Sequence, residues 1–125
     1  IYMKLPTIIN INKDINIHNQ IDIKLNIAPE IIYFAGHFEN HPVLPGVVQL
    51  DWALHFAKIY LNINKTNFAH IEQMKFSQII TPNIKIFLHL SLEENKLKFK
   101  FYNENIIYSI GKLKSKIKSN LKTNK

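Results

Sequence analysis

The chain has 125 residues, a length that makes one domain with one core, and its 46% hydrophobic and 11% aromatic content excludes a disordered polymer. The absence of cysteine excludes structural disulfides, thiolate catalysis and thiolate metal sites. The net charge of +7 is unevenly spread: residues 1–95 carry 7 Lys against 8 acids, and residues 96–125 carry 9 Lys against 1 acid.

In chain order, Thr7 to Asn12 and Ile15 to His18 read as short strands with a turn around Lys13-Asp14. Ile21 to Ile27 places an apolar residue at every odd position, the period of a half-buried strand. Ala28 to Pro45 holds Pro29, Gly36, Pro42 and Pro45 and reads as an ordered loop, because interior prolines break helices. Val47 to Leu61 runs without a breaker and is apolar on most sides, which predicts a buried helix; Asp51, His55 and Lys58 form one polar stripe along it. Ile71 to Ile80 and Ile84 to Leu92 read as strands, followed by a turn at Glu93-Glu94-Asn95. Leu97, Phe99 and Phe101 alternate with Lys96, Lys98 and Lys100, and a further turn stands at Asn103-Glu104-Asn105. Ile106 to Ile117 is the last strand, with Gly111 as the expected bulge where the apolar phase changes. Residues 118–125 read as a frayed basic tail, and the whole of 1–125 as one domain.

Strands, one long apolar helix and further strands predict an α+β hotdog fold, an antiparallel sheet wrapped around a central helix. No apolar run approaches the roughly 20 residues of a membrane span, and nothing at the start reads as a secretory leader, so a cytoplasmic protein without a membrane partner is expected. Asn64-Lys65-Thr66 matches a glycosylation acceptor by chance on this reading.

The chemistry concentrates in Gly36-His37-Phe38-Glu39-Asn40-His41-Pro42-Val43-Leu44-Pro45-Gly46-Val47-Val48-Gln49-Leu50-Asp51-Trp52-Ala53. It puts an imidazole on a stiff loop, a Pro-Gly at a helix start and a carboxylate within the first two helical turns. An imidazole is a proton acceptor near neutrality. A buried carboxylate must be paired or must protonate. The Gly46 amide lies where a helix N-terminus presents free N–H groups. Together these are a base, a second acid–base group and an oxyanion donor, the parts needed to remove a proton beside a carbonyl.

This stretch resembles the active-site segment of the bacterial 3-hydroxyacyl-acyl-carrier-protein dehydratases, with the Gln49-Leu50-Asp51-Trp52-Ala53 wording most similar to the short aryl-polyene-type branch. His37 and Asp51 match the family's spacing of fourteen positions, and Gly46 its Pro-Gly; Glu39 and Asn40 depart from the family's usual Pro and Gly. The resemblance implies dehydration of a 3-hydroxyacyl thioester held on the phosphopantetheine arm of acyl carrier protein, with no other cofactor and no metal. It implies His37 and Asp51 as the catalytic pair, Gly46 as the oxyanion donor and the Val43 carbonyl as the group orienting the imidazole. It also implies a homodimer in which the His and the acid come from different subunits. Phe34, Phe38, Trp52 and Phe56 line an acyl tunnel on this reading, or are plain core.

The bland readings stay open beside these. His37 could cap a turn, and Asp51 could pair with His55 one helical turn on. His41 follows His37 at a metal-pair spacing, but that pairing needs a helix, which Pro42 and Pro45 oppose. His18, His70 and His89 read as ordinary strand residues. The Lys-rich end attracts an acidic partner such as acyl carrier protein, or is a solvated face. It lacks the interleaved aromatics of a nucleic-acid platform, and no nucleic-acid partner is expected. An acyl thioesterase and a non-catalytic acyl-carrier-binding subunit are the competing functions.

Overall fold

The computed structural model describes residues 5–13, 19–28 and 43–116. They form β1 (Thr7–Asn12), β2 (Gln20–Ile27), α1 (Gly46–Leu61), a 3-10 turn (Lys65–Asn67), β3 (His70–Phe76), β4 (Ile84–Glu93), β5 (Lys96–Asn103) and β6 (Ile106–Lys114). The strands make one six-stranded sheet in the order β1-β2-β4-β5-β6-β3, with every neighbouring pair antiparallel.

The alternation anticipated for Ile21 to Ile27 is present in full. Ile21, Ile23, Leu25 and Ile27 are buried, and between them Asp22, Lys24 and Asn26 are partly exposed. In register with them, Ile86, Leu88 and Leu90 of β4 and Leu97, Phe99 and Phe101 of β5 build one apolar face. The helix seals that face with Val48, Trp52, Ala53, Phe56, Ala57 and Leu61. This is the hotdog arrangement. Turns at Glu94 and Glu104 take positive φ, as do Asn62 at the end of α1 and Asn83 before β4.

Four details differ from the sequence expectation. The helix is not buried all round: Val47 is 69% exposed and Ile59 54%, because a single sheet covers only one side of it. The strand expected over Ile71 to Ile80 ends at Phe76. There the amides of Ser77 and Gln78 both donate to the Tyr108 carbonyl, at 2.9 and 3.2 Å, so the chain leaves the ladder. The last strand ends at Lys114, short of Ile117. Finally, the bulge in β6 is not at Gly111. Register shifts opposite Phe101 and Tyr102, which pair with Ser109 and Ile107, so Tyr108 is the extra residue. Tyr108 and Ser109 are consequently both buried. The expected strand Ile15 to His18 and the tail from Lys118 lie outside the described residues.

Gly111 instead allows close approach. It pairs with Phe99 on one side and Met74 on the other. A Cβ there would run into the Phe99 ring and stand 2.9 Å from the Met74 sulfur. Gly111→Ala is therefore expected to cost about 1–3 kcal/mol through overpacking. Urea unfolding checks this, and an unchanged midpoint would show that the Phe99 ring moves aside freely.

Candidate active site

The segment Val43-Leu44-Pro45 enters α1 along a fixed path. Pro45 is the N-cap with φ −63° and ψ 150°, and its carbonyl accepts the amides of Val48 and Gln49, each at 3.1 Å. Proline suits this boundary because it has no N–H to leave unsatisfied and its φ is preset. Leu44 is buried, and its amide donates to the Ile80 carbonyl at 2.7 Å. That bond ties the loop to the segment that leaves β3.

Gly46 is the first helical residue. Its N–H has no hydrogen-bond partner among the described residues, as the opening turn of a helix leaves it. The Phe76 ring lies directly over it: a Cβ on Gly46 would come within 2.6 Å of the ring edge. Glycine at this position thus leaves room for an apolar wall beside that N–H. The sequence reading missed Phe76, which gave no sign beyond being an aromatic near a strand end.

Asp51 lies on the outward side of α1 and is exposed, whereas the sequence reading placed a buried carboxylate here. The cause is the helical phase. With Trp52, Ala53 and Phe56 turned into the sheet, Asp51 must turn away from it. Among the described residues it makes no ion pair, so the alternative pairing with His55 does not form. Lys58 shares this outward stripe. Trp52, at 0% exposure, and Phe56, at 2%, stand in the packed core. His37, Phe34, Phe38, Glu39, Asn40 and His41 lie outside the described residues.

A second missed residue is Gln49. It is the single polar side chain on the buried side of α1, at 3% exposure. Its Nε2 donates to the Leu44 carbonyl at 3.1 Å, and its Oε1 accepts from the buried Ser109 hydroxyl at 2.7 Å. A lone amide on an apolar helix stripe was the available signal.

A separate polar cluster stands on the sheet face opposite the helix. Asp22 accepts from Tyr102 at 2.9 Å and from His89 Nδ1 at 3.1 Å. Burial first, and the Asp22 carboxylate after it, push the Tyr102 hydroxyl up to about 12. Among the described residues no group of His, Asp and Glu is arranged to hold a metal ion, and no helix is long and apolar enough to cross a membrane.

Comparison with known proteins places these features. The family model described as "ApeI-like: ApeI dehydratase" matches residues 13–112. The 3-hydroxyacyl-[acyl-carrier-protein] dehydratase FabZ of Buchnera aphidicola subsp. Acyrthosiphon pisum (strain Tuc7) is 35% identical over 94 residues. That match covers 68% of this chain and 62% of the relative, so the chain spans under two thirds of the relative's length. Among solved structures, the dehydratase heterocomplex ApeI:P of Xenorhabdus doucetiae superposes with a TM-score of 0.76 at 29% identity, covering 89% of this chain and 97% of that one. A protein from Erwinia carotovora subsp. atroseptica gives a TM-score of 0.76 at 30% identity, over 89% of this chain and 95% of its own.

Of the histidines near the site, His55 has a perturbed environment. Burial first, then the Lys65 and Lys58 charges, hold its imidazole below the 6.5 of a free side chain. The unfolded chain therefore takes up this proton at a higher pH than the fold does. The fold loses stability as pH falls from 6.5 towards the lowered value, and is unaffected by this group above it. His55→Gln should flatten that acid limb. Urea midpoints across the interval from about pH 7 to about pH 5 test it, and identical slopes in the two proteins would count against the assignment.

Proposed function

The chain belongs to the ApeI-like dehydratase family, and from that premise we propose that it converts 3-hydroxyacyl thioesters on acyl carrier protein to trans-2-enoyl thioesters. The pathway is fatty acid synthesis or the related assembly of polyene chains, in the cytoplasm. The observation that carries the reading is the family match across residues 13–112, which includes Pro45-Gly46 and Asp51 at the start of α1. Support comes from the chemistry available at that helix start. A donor without a partner among the described residues stands at Gly46, and a carboxylate follows on the open side of the same helix.

In the proposed reaction His37 removes a proton from C2. The electron pair released forms the C2–C3 double bond as the C3–O bond breaks, and Asp51 hydrogen-bonds the departing hydroxyl, directly or through water, so that it leaves as water with a proton relayed from solvent. Solvent in turn takes the proton from His37. The Gly46 N–H, at the positive end of α1, stabilises the negative charge that builds on the thioester oxygen. Val43 offers its carbonyl to the imidazole. The phosphopantetheine arm is the only prosthetic group required, and it arrives with the carrier. Phe34 and Phe38 border the acyl chain on this reading, whereas Trp52 and Phe56 belong to the packed core.

The working unit is a homodimer, with the His of one copy facing the acid of the other. The exposure of Asp51 in a single chain accords with this, because an acid shared between subunits is open until the second arrives.

His37→Ala and Asp51→Asn should each lower turnover of 3-hydroxybutyryl thioesters by about 10²–10⁴-fold with little change in melting temperature. Near-normal turnover in either variant would remove that residue from the mechanism. Release of free thiol without alkene formation would replace dehydration by thioester hydrolysis. Mixing the two inactive variants under subunit exchange should restore about a quarter of the activity, since half the dimers then carry one intact shared site. No recovery would sink the shared site.

A further inference from the structure

Gln49 and Ser109 form a buried hydrogen-bonded pair beside an apolar core, and Ser115 is the one other buried polar residue among those described. Removing an amide and a hydroxyl from water is unfavourable unless both are bonded, and an apolar pair of the same shape would fill the space without that demand. No buried side-chain nitrogen or oxygen among the described residues lacks a partner, so each polar atom of the pair has at least one. A second irregularity serves the same contact. The bulge at Tyr108 sets two consecutive residues of β6 facing inward, and the second is Ser109. Bulges re-aim side chains in this way.

The pair reaches the segment ahead of α1. Gln49 Nε2 holds the Leu44 carbonyl, and the Leu44 amide is held by Ile80. Each peptide unit is planar and trans, so a carbonyl points opposite to the N–H of the next residue. The Ile80 bond therefore fixes the direction of the Val43 carbonyl. The Gln49 bond fixes the peptide joining Leu44 to Pro45, whose ring presets the following φ. The Pro45 carbonyl, held by the amides of Val48 and Gln49, then sets the direction of the Gly46 N–H. The two backbone groups with proposed chemical roles stand at the ends of this clamped segment.

We infer that Gln49, braced by Ser109, is a positioning residue that holds the Val43 carbonyl and the Gly46 N–H in their working directions. This rests on the proposed dehydration for its catalytic consequence and on geometry alone for its structural one. The test uses the full chain with Gln49→Leu, Ser109→Ala and Ser109→Thr. Two quantities are read: steady-state dehydration of a 3-hydroxyacyl thioester, and hydrogen exchange of the Leu44 amide against the Leu88 and Phe99 amides of the same protein.

In Gln49→Leu and Ser109→Ala the Leu44 amide should exchange at least about tenfold faster, while Leu88 and Phe99 stay as in the unaltered chain. In the same two variants kcat should fall by about 10–10²-fold with KM nearly constant, as misplacement of a reacting group predicts. Ser109→Thr, which keeps the hydroxyl, should recover most of what Ser109→Ala loses. A uniform acceleration of all three amides, or an unchanged Leu44, would overturn the inference. So would an unchanged kcat in an active enzyme. If the unaltered chain does not dehydrate, the functional reading falls and the Leu44 exchange alone decides the clamp. If Gln49→Leu fails to fold, Ser109→Ala decides it.

Discussion

The structure depends on one constraint: a single helix must bury one side against one face of an antiparallel sheet. Trp52, Ala53, Phe56 and Ala57 meet the inward rows of β2, β4 and β5, and each large side chain so buried contributes about 1.5–3 kcal/mol. Because an α-helix turns about 100° per residue, fixing those four residues fixes the direction of every other. Asp51 turns outward as a consequence of what is buried next to it. Gln49 turns inward for the same reason, and that is why a polar side chain stands in the core at all. The chemistry of α1 is thus divided by its packing, with a bonded amide on the closed side and a carboxylate on the open one.

The helix start is shaped by two breaks in the sheet's regularity, and they meet at one residue. Tyr108 is the bulged residue of β6, and its carbonyl takes both amides that follow β3. The bulge aims Ser109 at Gln49. The end of β3 lets the chain run on to Ile80, whose carbonyl receives Leu44, and leaves the Phe76 ring over Gly46. These two irregularities serve the Pro45-Gly46 segment, while the sheet has two others among the described residues, between Ile8 and Asn10 and between Ile71 and Gln73.

Much of this was legible from periodicity. The two-residue alternation of Ile21 to Ile27 and of Leu97 to Phe101 survives in the fold because each strand has one face on the core and one in water, the condition under which alternation is a reliable sign. The helix bounds were readable because Pro45-Gly46 precedes a run without a breaker as far as Leu61. What was not legible depends on contacts between segments distant in sequence. Gly111 looked like a bulge because a glycine and a phase change stood together. Yet it is the Phe99 ring, from a neighbouring strand, that requires the glycine, while the bulge falls at Tyr108. Asp51 looked buried because its neighbours are apolar, but a sheet on one side of a helix leaves apolar residues on the other. Gln49 passed unnoticed because its partner is 60 residues away.

Val47 at 69%, Ile79 at 65% and Phe76 at 49% exposure are large apolar side chains, and all three belong to segments that meet at Gly46. β3, which ends at Phe76, is an edge strand of the sheet. Exposed apolar surface beside an open strand edge is a liability in a chain that acts alone. Asp51 is exposed at the same end, and polar groups act on developing charge far more weakly in water than in a dry site. Covering this end with a second surface would remove both defects at once: it would bury the apolar side chains and lower the dielectric around Gly46 and Asp51. On the proposed reading a second copy supplies that surface, and association and catalysis then draw on the same few residues. The open side of α1 is in that sense half of a site.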